Sequence, residues 1–537
     1  MKRGILVVTL AILLLTRCGE ASDPALPYAR ELQDALDAGR ESAGLVGISA
    51  AVIVPGYEPW MGTSGGSHPG QPITEDMLFD MGSAGKILIG PLVVKLAEEG
   101  LISLDDPIDT YLPDFPYADG AITIRQLLNH TSGLFMMTKH PDSPFHKPYT
   151  EIDHQRWWTI DEIFTELGGD PYFPPGEGWC YTQAGYQLAT LIVEAVTSQT
   201  VGEAIQTHLL TPLDIGEMVL DFSKLVPDQV RVAHPWVDTD LDGHYEDVHG
   251  HSRNWVASLS RILFYSSARD LAAWGHALFT GEVLSQASMA EMLDFYRMDD
   301  WCGEPPLIAG YGLGVQDLDS SLARGQPAWG HLGSIPGYRA LLAHLPQQAV
   351  TLAVMTNTDA DGAMAVVDGL LEVLLQLLGV GTSVLQPIDV EPEMQPPADA
   401  SVLHTFQEES LFCDHKPRWT LTAGRDDWID ISLEWVVGTD QQKAEHAWRF
   451  HTHTITINGV EIPDLDRFTH DVIQYTVTCP DETLEIWAKG LSIYLPPLPP
   501  GDYEIRWYSQ ITGEFDNGWV SYRPGNAMEF VAQLAVE

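Results

Sequence analysis

Ser83 stands three residues before Lys86 in the stretch Phe79-Asp80-Met81-Gly82-Ser83-Ala84-Gly85-Lys86. On a helix this spacing puts a hydroxyl and an ammonium one turn apart on the same face, within hydrogen-bond reach. A serine hydroxyl is a poor nucleophile until a neighbouring base takes its proton, and a lysine with a desolvated, lowered pKa can be that base. The apolar run from Ile87 to Leu101 predicts a buried helix, which sets Lys86 beside a core where an idle ammonium is costly. At the start of such a helix, Ser83 has unpaired backbone N–H groups and the positive dipole end, both of which favour an alkoxide or a tetrahedral oxyanion. A serine three residues before a lysine is common in capped helices, so the weight rests on what surrounds the pair.

Several further stretches stand in order along the chain. They are Leu104-Asp105-Asp106-Pro107, Tyr111-Leu112-Pro113, the segment Ile124 to Leu134, Pro175-Gly176-Glu177, Tyr181-Thr182-Gln183, Ser266 to Asp270, Tyr311-Gly312-Leu313-Gly314, and Gly330-His331-Leu332-Gly333-Ser334 with Pro336-Gly337-Tyr338. With Ser83 and Lys86 they resemble the penicillin-binding protein and class C β-lactamase group over residues 30 to 380, a span too long for coincidence of short motifs. The resemblance implies that Ser83 is the nucleophile, Lys86 its partner and Tyr181 a proton shuttle to the leaving group, with Lys86 and Tyr181 both open as the base. It places His331 on the strand that carries Lys-Thr-Gly in β-lactamases and His-x-Gly in several peptidases and esterases. Backbone N–H groups of Ser83 and Ser334 would hold the oxyanion, and Gly333 would allow close approach. Gln183 departs from the usual Tyr-x-Asn but keeps a carboxamide for the substrate.

The implied reaction runs through an acyl-enzyme on a small-molecule or short-peptide amide or ester, with no cofactor or metal. A D-amino-acid peptidase or D-Ala-D-Ala carboxypeptidase and a carboxylesterase both precede a true β-lactamase, since His331 and Gln183 lead away from antibiotic hydrolysis. The competing reading is a catalytically inactive relative that binds cell-wall peptide or a protein partner.

These residues need elements to position them. Helical periodicity over Arg30 to Glu41 and Ile87 to Leu101, with strands at Val46 to Pro55, Arg339 to Leu345 and Ala349 to Asn357, predicts an α/β domain of the α+β kind. Its antiparallel sheet is flanked by helices, with a helical subdomain, as in the β-lactamase/transpeptidase fold. The texture then changes. Pro387 to Ala400 reads as an exposed linker, and seven short strand patterns from Trp419 to Val536 suggest a β-sandwich. The expected organisation is 1–21 export signal, 22–382 hydrolase domain, 383–402 linker and 403–537 accessory domain.

Composition agrees with a folded, exported chain. Of 537 residues, 45% are hydrophobic and 19% charged, so the chain can bury large cores. The 75 acidic against 28 basic residues give a net charge of -47, which excludes nucleic acid and anionic lipid as natural partners. Lys2 and Arg3, an apolar run from Ile5 to Leu15 and small residues near Ala21 form a secretory signal, secreted, periplasmic or cell-surface in destination. Cys18 offers lipidation and cell-envelope association as an alternative. Cys180, Cys302, Cys413 and Cys479 permit one disulfide in each domain. Asp238, Asp240 and Asp242 before Gly243 resemble the opening of a calcium loop, but His249 stands where the closing glutamate belongs, so an acidic hairpin turn ranks ahead of calcium. His451 and His453 share a strand face without further ligands.

Overall fold

Ile48, Ala50 and Val52 bury into one hydrophobic cluster while Ala51 buries into another, the period-two division that makes both faces of a sheet internal. The computed structural model describes residues 24–379 except position 217 and 221–230, 241–243, 262–263, 298–307, 319–325 and 361–362, together with strand segments within 402–536. Nine strands of the first region form one antiparallel sheet: β1 (Gly47–Ile53), β2 (Trp60–His68), β3 (Gln71–Pro72), β4 (Tyr296–Arg297), β5 (Gly310–Tyr311), β6 (Gln316–Asp317), β7 (Trp329–Ile335), β8 (Tyr338–Leu345) and β9 (Val350–Thr356). Their order is β3-β2-β1-β9-β8-β7-β6-β5-β4, so the first strands lie beside the last.

Helices cover both faces. α1 (Ala29–Ser42) sends Leu32 and Leu36 into the cluster that holds Ile48, Leu341, Leu352 and Leu370, the last from a C-terminal helix over Ala363–Leu377. The opposite face holds Ala51, Leu342 and Ala353 with residues of α2 (Lys86–Glu98), α3 (Gln183–Thr197) and α5 (Ala268–Phe279); α4 (Asn254–Ser260) joins the same cluster. Hence α2 runs buried from Lys86 to Val94, apolar on all sides.

Two local devices fix α2. Pro91 inside it has no N–H for the carbonyl of Ile87, and Trp274 Nε1 of α5 donates to that oxygen at 3.2 Å instead. A side chain on Gly90 would meet Leu313 O at 2.1 Å, so glycine lets the helix close on the Tyr311-to-Gly314 segment.

Within 402–536 the seven strand patterns all appear as strands, in a four-stranded and a five-stranded sheet. Trp236–Val237 pairs antiparallel with Glu246–Asp247, and Asp238 and Asp240 follow the first of these strands. Asp242 itself lies outside the described residues; among those described, no group of three or more His, Cys, Asp or Glu side chains is placed to hold a metal. No described helix is long and apolar enough to cross a membrane.

Candidate active site

Phe79–Asp80 pairs with Tyr265–Ser266, and the chain then turns through a tight helical segment, Gly82–Gly85, before α2 begins. Gly82 adopts φ +50°, a left-handed conformation that suits glycine, and its N–H donates to Asp80 Oδ1 at 2.9 Å. The turn abuts β7. A side chain on Gly82 would lie 3.1 Å from Ser334 N, and one on Gly333 would meet Met81 O at 2.0 Å. Both glycines are what permits the backbones of the nucleophile turn and the strand to touch.

This contact gathers oxyanion donors. Leu332 N donates to Gln316 Oε1 at 2.8 Å, away from β8. N–H directions alternate along a strand, so Ser334 N points the same way, away from β8. Ser83 N sits in the first turn of its helical segment, where backbone donors have no intrahelical partner. Ser334 thus lies against the turn that carries Ser83.

Lys86 has 0% exposure, and its Nζ donates to Ser83 Oγ at 3.3 Å. The ammonium lies 4.7 Å from the Tyr181 ring centroid and 5.3 Å from that of Tyr186. Burial pushes its pKa down to about 7. Tyr181 is buried and hydrogen-bonded to Ser83, and burial pushes its phenol well above the usual range. Tyr181 is placed by the Ile124-to-Leu134 segment: Cys180 N donates to His130 O at 3.0 Å and Thr182 N to His130 Nδ1 at 3.2 Å. Cys180 is disulfide-bonded; Cys18, Cys302, Cys413 and Cys479 lie outside the described residues.

His331, expected among the catalytic residues, is a buried residue of β7 near Lys86. It is fully buried on the α2-facing side of β7, opposite Leu342, and does not line the cleft. Its Nδ1 donates to Leu332 O at 2.6 Å, which leaves Nε2 to accept from Tyr311 OH at 2.7 Å. Burial, with Lys86 as a nearby cation, holds its pKa at about 3, so the imidazole is neutral. The Leu332 carbonyl therefore fixes the tautomer of His331, and Tyr311, to which the sequence alone assigns no role, donates to its other nitrogen.

The cleft above Ser83 has a volume of about 360 Å³. Met137, Phe145, Leu259, Ile335 and Pro336 supply apolar walls, while Gln183, Ser334, Arg339 and Asp359 supply polar ones. Gln183 begins α3, and its buried Oε1 has no hydrogen-bond partner among the described residues. A carboxamide oxygen in that position can accept an N–H from a bound substrate. Arg339, near the start of β8, and Asp359, three residues past the end of β9, form an ion pair in the cleft lining, unforeseen because they are distant in sequence.

Comparison with known proteins agrees with this geometry, the family model matching residues 32–376. The chain belongs to the Beta-lactamase family. Among members similar to it, Penicillin-binding protein 4* of Bacillus subtilis is 28% identical over 54% of this chain and 63% of its own length. Esterase EstB of Burkholderia gladioli is 30% identical over 39% of this chain and 55% of its own. A solved D-stereospecific amidohydrolase from Streptomyces sp. is 27% identical with a TM-score of 0.54, over 63% of this chain and 98% of that one. The chain thus spans less than two thirds of those two curated relatives, and Beta-lactamase family members similar to it bear amidohydrolase, esterase and penicillin-binding names.

Proposed function

We propose that the protein is a serine hydrolase that cleaves a small amide or ester through an acyl-enzyme. The observation that carries this reading is the buried Lys86 amine in contact with Ser83 Oγ. Burial disfavours both an ammonium and a phenolate, so the pair with no buried charge is neutral Lys86 beside neutral Tyr181. Neutral Lys86 then takes the Ser83 proton as Oγ bonds to the carbonyl carbon. The negative oxygen forms beside Ser83 N and Ser334 N. Tyr181 passes the proton from Lys86 to the departing nitrogen or oxygen, the carbon–heteroatom bond breaks, and an acyl-Ser83 remains. Water, deprotonated by the same pair, attacks the acyl carbon and regenerates Ser83.

Substrate preference reflects the walls. Apolar side chains suit an apolar acyl group, and Gln183 Oε1 suits an N–H beside the scissile carbonyl. The amidohydrolase and esterase relatives support a D-amino-acid amide or peptide, or a carboxylic ester, ahead of a β-lactam. The signal at residues 1–21 supports export, with Cys18 as a lipidation site, and the two sheets within 402–536 are read as an accessory sandwich. Turnover of a p-nitrophenyl ester, a D-amino-acid amide, a D-Ala-D-Ala peptide and a cephalosporin tests the reading. The cephalosporin is expected to be slowest; equal inertness of all four would leave the inactive binding protein as the better account.

A further inference from the structure

Arg253 belongs to none of the catalytic motifs, yet it touches both segments that supply oxyanion donors. It precedes α4, and its side chain is 11% exposed against 0% for its partner Asp80. Nη2 donates to Asp80 Oδ2 at 2.9 Å and Nη1 to Pro336 O at 3.0 Å. Asp80 Oδ1 in turn accepts Gly82 N at 2.9 Å. The guanidinium also sits over the Tyr338 ring, 5.1 Å from its centroid. One fork therefore spans from the residue three before Ser83 to the residue two beyond Ser334.

We propose that Arg253 is a positioning residue, a clamp that sets the separation of the Ser83 and Ser334 N–H groups through Asp80 on one side and Pro336 on the other. A buried ion pair is weak as a source of stability, because desolvation offsets most of its attraction. Its retained value here is geometric. The planar guanidinium meets two fixed acceptors at once, which the point charge of lysine does not reproduce. Oxyanion stabilisation depends on donors fixed to within a fraction of an ångström, so a slack clamp slows acylation while leaving the cleft walls, and hence substrate affinity, in place.

The proposal rests on the acyl-enzyme reading for its kinetic consequence and on geometry alone for its structural one, so two measurements are paired. In the first, active sites are titrated with a fluorophosphonate and acylation by a p-nitrophenyl ester is timed per titrated site. Arg253→Met is expected to lower that rate about ten- to a hundredfold with KM within about twofold, and Arg253→Lys to fall between it and the wild type. An unchanged rate per site, with only fewer competent sites or a lower Tm, overturns the clamp in favour of a merely structural ion pair. In the second, hydrogen exchange is monitored in segments 79–86 and 331–338. Faster exchange confined to both segments in Arg253→Met supports the clamp, and unchanged exchange in either overturns it. Should Arg253→Met fail to fold, the double variant Asp80→Asn with Arg253→Met removes the unpaired carboxylate and answers the same two measurements. A wild-type protein that resists the fluorophosphonate counts against the serine chemistry, and the exchange result still decides the clamp.

Discussion

Lys86 Nζ lies 3.3 Å from Ser83 Oγ while the whole Lys86 residue is sealed from solvent. Burial makes the lysine's charge expensive, and in the proposed mechanism that is what makes it a base and sets the pH dependence of both activity and stability.

The pH profile is the first consequence. With Lys86 at about 7 and required neutral, kcat/KM is expected to rise through one ionisation near that value and to fall as pH drops below it. Tyr181, held above its ordinary range, leaves the alkaline side flat through the pH range in which ordinary tyrosines begin to ionise. A profile of ester hydrolysis against pH checks both limbs; a loss of activity towards high pH starting near 7 would contradict the assignment.

Stability carries the same signature with opposite value to the protein. Lys86 has a folded pKa below its ordinary 10.5, so the unfolded state holds the extra proton between about 7 and 10.5, and stability rises with pH across that window. Lys86→Met is expected to be inactive yet more stable by several kcal/mol below pH 7, on the order expected from a shift of this size. Its advantage fades between pH 7 and 10.5. Urea unfolding of both proteins at pH 6 and pH 9.5 reads the difference.

Much of this arrangement was legible in sequence: helical spacing relates Ser83 to Lys86, while the meeting of that pair with Tyr181, Gln183 and Ser334, far apart in the chain, is what the family resemblance implies. The helices and strands that carry them arise from hydrophobic periodicity. Other parts were not legible, for a physical reason: they are contacts between distant segments. Arg253 meets Asp80 across 173 positions of sequence, and Trp274 rescues the carbonyl that Pro91 strands, with no local pattern in either case. His331 was identifiable as a residue but not as a buried one, since which face of β7 it occupies is set by its register opposite Leu342.

Gly333 is expected to tolerate no side chain. Gly333→Ala would drive a methyl to 2.0 Å from Met81 O, so the strand must retreat from the Ser83 turn. The expected result is a loss of about a hundredfold or more in kcat/KM, accompanied by about 1–3 kcal/mol of destabilisation from overpacking. Steady-state kinetics and a thermal melt measure the two effects.

Gln183 tests how substrate is held. Removal of its carboxamide in Gln183→Ala is expected to raise KM for a D-amino-acid amide about tenfold, the worth of one hydrogen bond in a desolvated cleft, with kcat altered less. Gln183→Asn, one methylene shorter, should restore less than half of the lost binding free energy. An equal fall in kcat with KM constant would mean that Gln183 serves the transition state instead.

The most direct test of the serine chemistry is the site of covalent modification. Intact-protein and peptide mass spectrometry after exposure to a fluorophosphonate, and separately to a penicillin, should find the fluorophosphonate adduct on Ser83, absent from Ser83→Ala and retained in Ser334→Ala. A folded wild-type protein that carries no fluorophosphonate adduct, or an adduct that persists in Ser83→Ala, would contradict it.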